Sequence, residues 1–180
     1  MPDLIVIYGA PLTGKTSLAW ALGRSLPDAT AIVSCDQLLA GSIAVSQTDV
    51  KAELEMAHVQ LRLLVANYLK NRYNVIVEGP FLYERNGSLF NYEADIDQLI
   101  ALMRHLTVRA IVVRLNASEA ALTERARRLG REDELSATLR IGPAYKSRYG
   151  LRFYAFDTGD LSVESVRDEI KNALLQQAKD

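Results

Sequence analysis

Five short apolar runs, rich in β-branched residues, punctuate this chain: Leu4–Tyr8, Thr30–Ser34, Asn74–Val77, Val108–Leu115 and Arg152–Phe156. A strand that is apolar on both faces must be covered on both faces. Between these runs lie longer stretches with a helical period. From Val50, apolar residues recur at Leu54, Ala57, Leu61, Leu64, Val65 and Tyr68, one side of a helix. Ser46 and Asp49 precede it as start signals. The same patterning places helices at Lys15 to about Ser25, Glu93–His105, Ser118–Leu129, Asp133–Tyr149 and Val163–Gln177. Strands that alternate with helices make an α/β fold: five parallel strands with helices on both faces, three layers in all. The 180 residues show no repeat and no linker, so residues 1–180 read as a single domain. Such sheets bind ligands beyond the carboxyl ends of their strands, near the point where strand order reverses.

Directly after the first run comes Gly9-Ala10-Pro11-Leu12-Thr13-Gly14-Lys15-Thr16. It fits G-x-x-x-x-G-K-[ST], the P-loop, and stands between a strand and a helix as that motif requires. Gly9 and Gly14 permit a tight path that turns successive N–H groups inward, and the helix behind adds its own N-terminal donors. Lys15 is placed to reach terminal phosphates and Thr16 to hold Mg²⁺. The expected nucleotide site is residues 9–16 with Ser17, and the fold class becomes that of the P-loop NTPases.

The remaining composition narrows the partners. Basic and acidic residues number 21 and 22, so no net field draws in nucleic acid or a membrane. One cysteine rules out an intrachain disulfide and a Cys-based zinc cage. The start MPDLIVIYGAP has no basic leader, and its apolar run is too short to span a bilayer. A cytoplasmic location is the expectation.

Asp36 follows the second strand, near where the fold places the P-loop. A short chain with a P-loop at its start, an acid after strand two and an Arg-rich segment past strand four resembles the small P-loop kinases. That group includes shikimate- and gluconate-kinase-like enzymes, chloramphenicol phosphotransferase and zeta-type toxins. The resemblance implies ATP and Mg²⁺ as cofactors, Asp36 as the group that meets the acceptor hydroxyl, and an Arg-bearing lid. A carboxylate suits that task, since an alcohol attacking the γ-phosphoryl group must give up its proton. The bland alternative is that Asp36 caps the turn Gln37–Leu39. Between Arg24 and Arg62 there is no Arg, and Leu39 stands where zeta-type toxins carry one. A bare hydroxyl is therefore favoured over a phosphate-bearing acceptor, although Arg85 can approach from another loop.

Glu78 ends the third strand and resembles the acid that orients metal-bound water; a carboxylate held by loop N–H groups is the alternative. Pro80 and Asn86-Gly87 mark Gly79–Tyr92 as a loop. Its aromatics Phe81, Tyr83, Phe90 and Tyr92 either wall an acceptor pocket or pack the loop down. Tyr83 and Arg85 are the substrate-side candidates. Arg125, Arg128 and Arg131 match the lid of the resembled kinases, Arg125 toward the nucleotide and the other two toward the transferring phosphoryl group. The alternative there is a solvated helix with Glu124 paired to Arg128. His58 and His105 are far apart and make no metal site; His58 reads as a packed residue.

The leading expectation is a phosphotransferase that moves the γ-phosphoryl group of ATP to a hydroxyl of a small molecule. Two others stay open: a nucleoside, nucleotide or RNA-end kinase, and a nucleotide-binding switch. The acids beside the arginines disfavour a nucleic-acid surface.

Overall fold

A computed structural model describes residues 1–42, 49–102, 106, 108–146 and 153–177. The expected start signal Ser46, together with His105, Tyr149 and Arg152, lies outside them. The five apolar runs form one parallel sheet: β1 (Asp3–Gly9), β2 (Thr30–Ser34), β3 (Asn74–Gly79), β6 (Arg109–Asn116) and β7 (Phe153–Asp157). Their order is β2-β3-β1-β6-β7. The strand order therefore reverses at β1, so the P-loop leaves the sheet in the crevice between β3 and β6.

Alternation along β1 divides the core in two. Leu4, Val6 and Tyr8 pack with Leu61 and Val65 of α3 (Val50–Lys70) and with Ile96 and Leu99 of α4 (Glu93–Leu102). Ile5 and Ile7 face the other way, onto Leu18, Ala19 and Leu22 of α1 (Lys15–Gly23) and Ile170 and Leu174 of α7 (Val163–Gln177). Successive strand side chains point to opposite faces, so a fully apolar strand glues both helical layers.

Three segments depart from expectation. Gly79–Tyr92 is not an irregular loop: β4 (Leu82–Arg85) and β5 (Ser88–Asn91) pair antiparallel. Asn86 and Gly87 both take positive φ, 51° and 76°, the turn that Asn-Gly favours because it matches the strand twist. Residues 35–42 form a helix, α2 (Cys35–Ser42), directly on the end of β2. The long helix expected from Asp133 is broken. It runs as a 3₁₀ turn (Glu132–Glu134), α6 (Leu135–Ile141) and a second 3₁₀ turn (Gly142–Ala144). Pro143 cannot donate to the ladder and ends the α-helix there. α5 (Glu119–Leu129) precedes these pieces, capped by Ser118, whose hydroxyl accepts from the Ala121 N–H at 3.3 Å.

Candidate active site

One cleft of about 890 Å³ opens beyond the strand ends, with the P-loop on one side and Asp36, Tyr83 and Arg85 on the other. The P-loop side is fixed mainly by backbone. Gly9 has φ +147°, and a Cβ there would sit 2.2 Å from the Leu115 carbonyl oxygen. Only glycine lets β1 end that close to β6. Gly14, at φ 90°, caps α1. The first turn of α1 then leaves N–H groups without helical partners, the usual site for an anion.

Lys15 is buried within the loop, and its Nζ donates to the Ala10 carbonyl at 2.9 Å. The Thr13 hydroxyl donates to the same oxygen at 2.8 Å. Burial pulls the Lys15 ammonium below its ordinary pKa, and the negative charges of Asp36 and Glu78 oppose that shift. Both carboxylates therefore act on Lys15 inside the cleft.

Thr16 donates from its hydroxyl to Glu78 Oε2 at 3.2 Å. Glu78 is almost fully buried, whereas Thr16 is open to the cleft. The pair offers oxygen donors, the chemistry Mg²⁺ prefers. Among the described residues no cluster of three or more His, Cys, Asp or Glu could cage a metal alone.

Asp36 lies in the first turn of α2. The capping role falls to its neighbour: the Ser34 hydroxyl accepts the Gln37 N–H at 3.3 Å. Asp36 meets solvent within the cleft, yet protein crowds it on most sides. That partial desolvation lifts its carboxyl above the ordinary range, against the pull of Lys15, Arg85 and Arg131. A tight approach puts it there. A Cβ on Gly79 would lie 2.6 Å from both Cβ and Sγ of Cys35, so α2 starts pressed against the end of β3.

The arginines divide by partner. Arg125 lines the cleft but spends its donors on protein: Nη1 reaches the Leu12 carbonyl at 3.2 Å and Thr158 Oγ1 at 2.9 Å, and Nη2 donates to the Thr158 carbonyl. It ties the P-loop to the segment after β7. Arg127, not Arg128, pairs with Glu124, through a bidentate contact. Arg128 stands exposed in the last turn of α5. Gly130 then turns left-handed, and Arg131 lies beyond the helix rather than on its face, held by Glu134. Arg85 and Arg128 form no ion pair with another described residue, and both line the cleft.

Of the four loop aromatics, Tyr83 alone lines the cleft. Phe81 is fully buried and Tyr92 stacks on His58, so packing accounts for both. The segment Thr158–Val163 also borders the cleft, a contribution the sequence reading missed. The signal was present, since Thr158-Gly159-Asp160 follows the last strand. No helix among the described residues is long and apolar enough to cross a membrane.

Known structures share this architecture. A suspected kinase from Chloroflexus aurantiacus superposes with a TM-score of 0.71 at 21% identity, covering 97% of each chain. A gluconokinase from Sinorhizobium meliloti gives 0.64 at 19% identity, over 99% of this chain and 94% of its own. An APS kinase from Mycobacterium tuberculosis, solved with AMPPNP and APS, gives 0.66 at 15% identity, over 96% and 97%. No curated protein matches the sequence. A family model described as AAA domain matches residues 4–149, which span the P-loop, Asp36, Glu78 and the arginine segment. The fold is thus that of the small P-loop kinases, and the chain belongs to the AAA domain family.

Proposed function

We propose that the protein transfers the γ-phosphoryl group of ATP to a hydroxyl of a small molecule. The observation that carries this reading is Asp36. It is relieved of capping by Ser34 and faces the same cleft as Lys15 and Thr16. Loop N–H groups and Lys15 hold the phosphates. Thr16 and Glu78 hold Mg²⁺, which supplies positive charge to the phosphate oxygens. An acceptor resting against Tyr83 and Arg85 brings its hydroxyl to Asp36. Asp36 takes the proton or orients the nucleophile, a contribution of about 10²–10⁴ in rate. Its upward-shifted carboxyl makes it a stronger base than an ordinary aspartate. Arg128 and Arg131 supply charge to the transferring group.

The test is ADP release from ATP with Mg²⁺, screened across sugars, polyols, nucleosides and hydroxylated antibiotics. The expected result is turnover that depends on one class of hydroxyl compound, with the phosphorylated product seen by mass spectrometry. ATP binding without acceptor-dependent turnover, together with stable capture of a protein partner, overturns it in favour of a switch.

A further inference from the structure

The long helix α3 carries two apolar lines. The inner line, Leu54, Ala57, Leu61, Val65 and Leu69, is buried in the core. The outer line is Ala52, Met56, Val59, Leu63 and Ala66, spaced alternately four and three residues apart. That is the heptad spacing with which one helix meets another along a narrow seam. Its large members stand in the open: Met56 is 51% exposed, Val59 39% and Leu63 66%. Single exposed apolar residues are ordinary, but three in line on one helix face make a patch, and patches mark contacts. None of them lines the cleft, so the transfer proposed above does not account for them.

Charge says what covers this face. Along α3 and its flanks, the first half carries Asp49, Glu53 and Glu55 against Lys51, and the second half carries Arg62, Lys70 and Arg72 with no acid. A parallel copy would set acid against acid and base against base. An antiparallel copy sets each acidic half on a basic half and also opposes the two helix dipoles. The register follows from the edge of the seam. Glu55 and Arg62 lie on the same edge, one heptad apart. With a two-fold axis near Val59, Glu55 of one copy faces Arg62 of the other, and the contact occurs twice, as a two-fold interface requires. Within its own chain Glu55 has a loose, exposed pair with Lys51 at 3.7 Å. Arg62 is already steadied, since its Nη1 donates to Asp95 at 2.8 Å. A guanidinium has five N–H donors, so others are left for Glu55. In this register Met56 packs on Val59 of the other copy and Leu63 on Ala52, large against small.

We propose that the outer face of α3 is a homodimer interface: two copies of this chain pair their α3 helices antiparallel, with Met56, Val59 and Leu63 as the seam and a Glu55–Arg62 pair at each end. A single helix pair falls at or below about 1,200 Å² of total buried surface, the range of weak interfaces, so a Kd of about 1–100 µM is expected.

Analytical ultracentrifugation of the full chain over that concentration range is the test, and it needs neither ATP nor an acceptor. The 20.0 kDa chain is expected to shift toward twice its mass as concentration rises. Met56→Glu with Leu63→Glu stays monomeric throughout, with helical circular dichroism and ATP binding unchanged. Glu55→Arg sets like charges together twice and raises Kd about tenfold or more, a difference that added salt narrows. Leu63→Cys alone does not cross-link on oxidation, whereas Leu63→Cys with Ala52→Cys does; the native Cys35 is buried and takes no part. A chain still monomeric at about 1 mM, a dimer that survives the double Glu variant, or cross-linking of Leu63→Cys to itself overturns the proposal. So does a wild-type chain that stays monomeric yet floats with phosphatidylcholine–phosphatidylserine vesicles, which would assign the face to a membrane. If the double Glu variant does not fold, Glu55→Arg and the cysteine pair decide it.

Discussion

The two sides of the cleft are built from different material. The phosphate side is mainly backbone: a strand end, a loop of five residues and the first turn of one helix. The opposite side, where the proposed acceptor would rest, is side chains from α2, the β4–β5 hairpin and the segment after α5. Each side nevertheless depends on one glycine at a crowded strand end. Gly9 lets β1 close on β6, and Gly79 lets α2 close on β3. A binding surface of N–H groups tolerates many side chains, whereas an acceptor pocket made of side chains is free to change its ligand.

The sharpest separation of the two sides comes from Asp36→Asn. It leaves the P-loop untouched, so ATP affinity measured by calorimetry is expected to hold. Acceptor-dependent transfer is expected to fall by about 10²–10⁴. Full transfer in this variant ends the role given to Asp36, and a parallel loss of ATP affinity would show that the two sides are not separable.

Gly9→Ala attacks the other side. Its new Cβ meets backbone, which has no soft way to yield, and the positive φ adds strain. A loss of about 3 kcal/mol in denaturant unfolding is expected, together with weakened ATP binding. Gly79→Ala is the milder counterpart. Its Cβ meets Cys35, at the start of a short helix that can shift. About 1–3 kcal/mol is expected, with ATP affinity kept and transfer reduced because Asp36 moves with α2. If Gly79→Ala lowers ATP affinity as much as Gly9→Ala does, the division of the cleft is wrong.

The same division explains what the sequence could show. The P-loop was legible because its chemistry is local. Gly9, Gly14, Lys15 and Thr16 are neighbours in the chain, and the fold only has to place them after a strand. The sheet was legible because each strand is apolar on both faces. The role of Ser34 was not legible, since Ser34 and Asp36 are both plausible caps and only the coordinates show which accepts the Gln37 N–H. Nor was the role of Arg125, whose partners Leu12 and Thr158 are 113 and 33 residues away. His58 read as a packed residue, which it is. That its ring also joins Asp95 on another helix to Tyr83 in the hairpin is a tertiary fact that no local pattern carries.

The smallest expected effect concerns stability. The upward shift of the Asp36 carboxyl is a net result: it already includes the attraction of Lys15, Arg85 and Arg131, and desolvation still prevails. The folded state thus binds this proton more tightly than the unfolded state. That contribution to stability is fully present below the unfolded value near 3.8 and is lost as pH rises through the folded value. At neutral pH the ionised Asp36 therefore weighs slightly against folding, as functional carboxylates on the floor of a cleft often do. Asp36→Asn removes that charge, so its melting temperature at pH 7–8 should exceed that of the wild type, by an amount that solvent screening of this exposed group keeps small. The gain should shrink as the pH is lowered and the wild-type carboxyl takes up its proton. The Gly79→Ala background sharpens the test. With α2 displaced from β3, Asp36 is better solvated, and the same Asn substitution should yield less. A variant destabilised at neutral pH would mean that Lys15 depends on Asp36 for its charge balance, and that the phosphate side leans on the acceptor side after all.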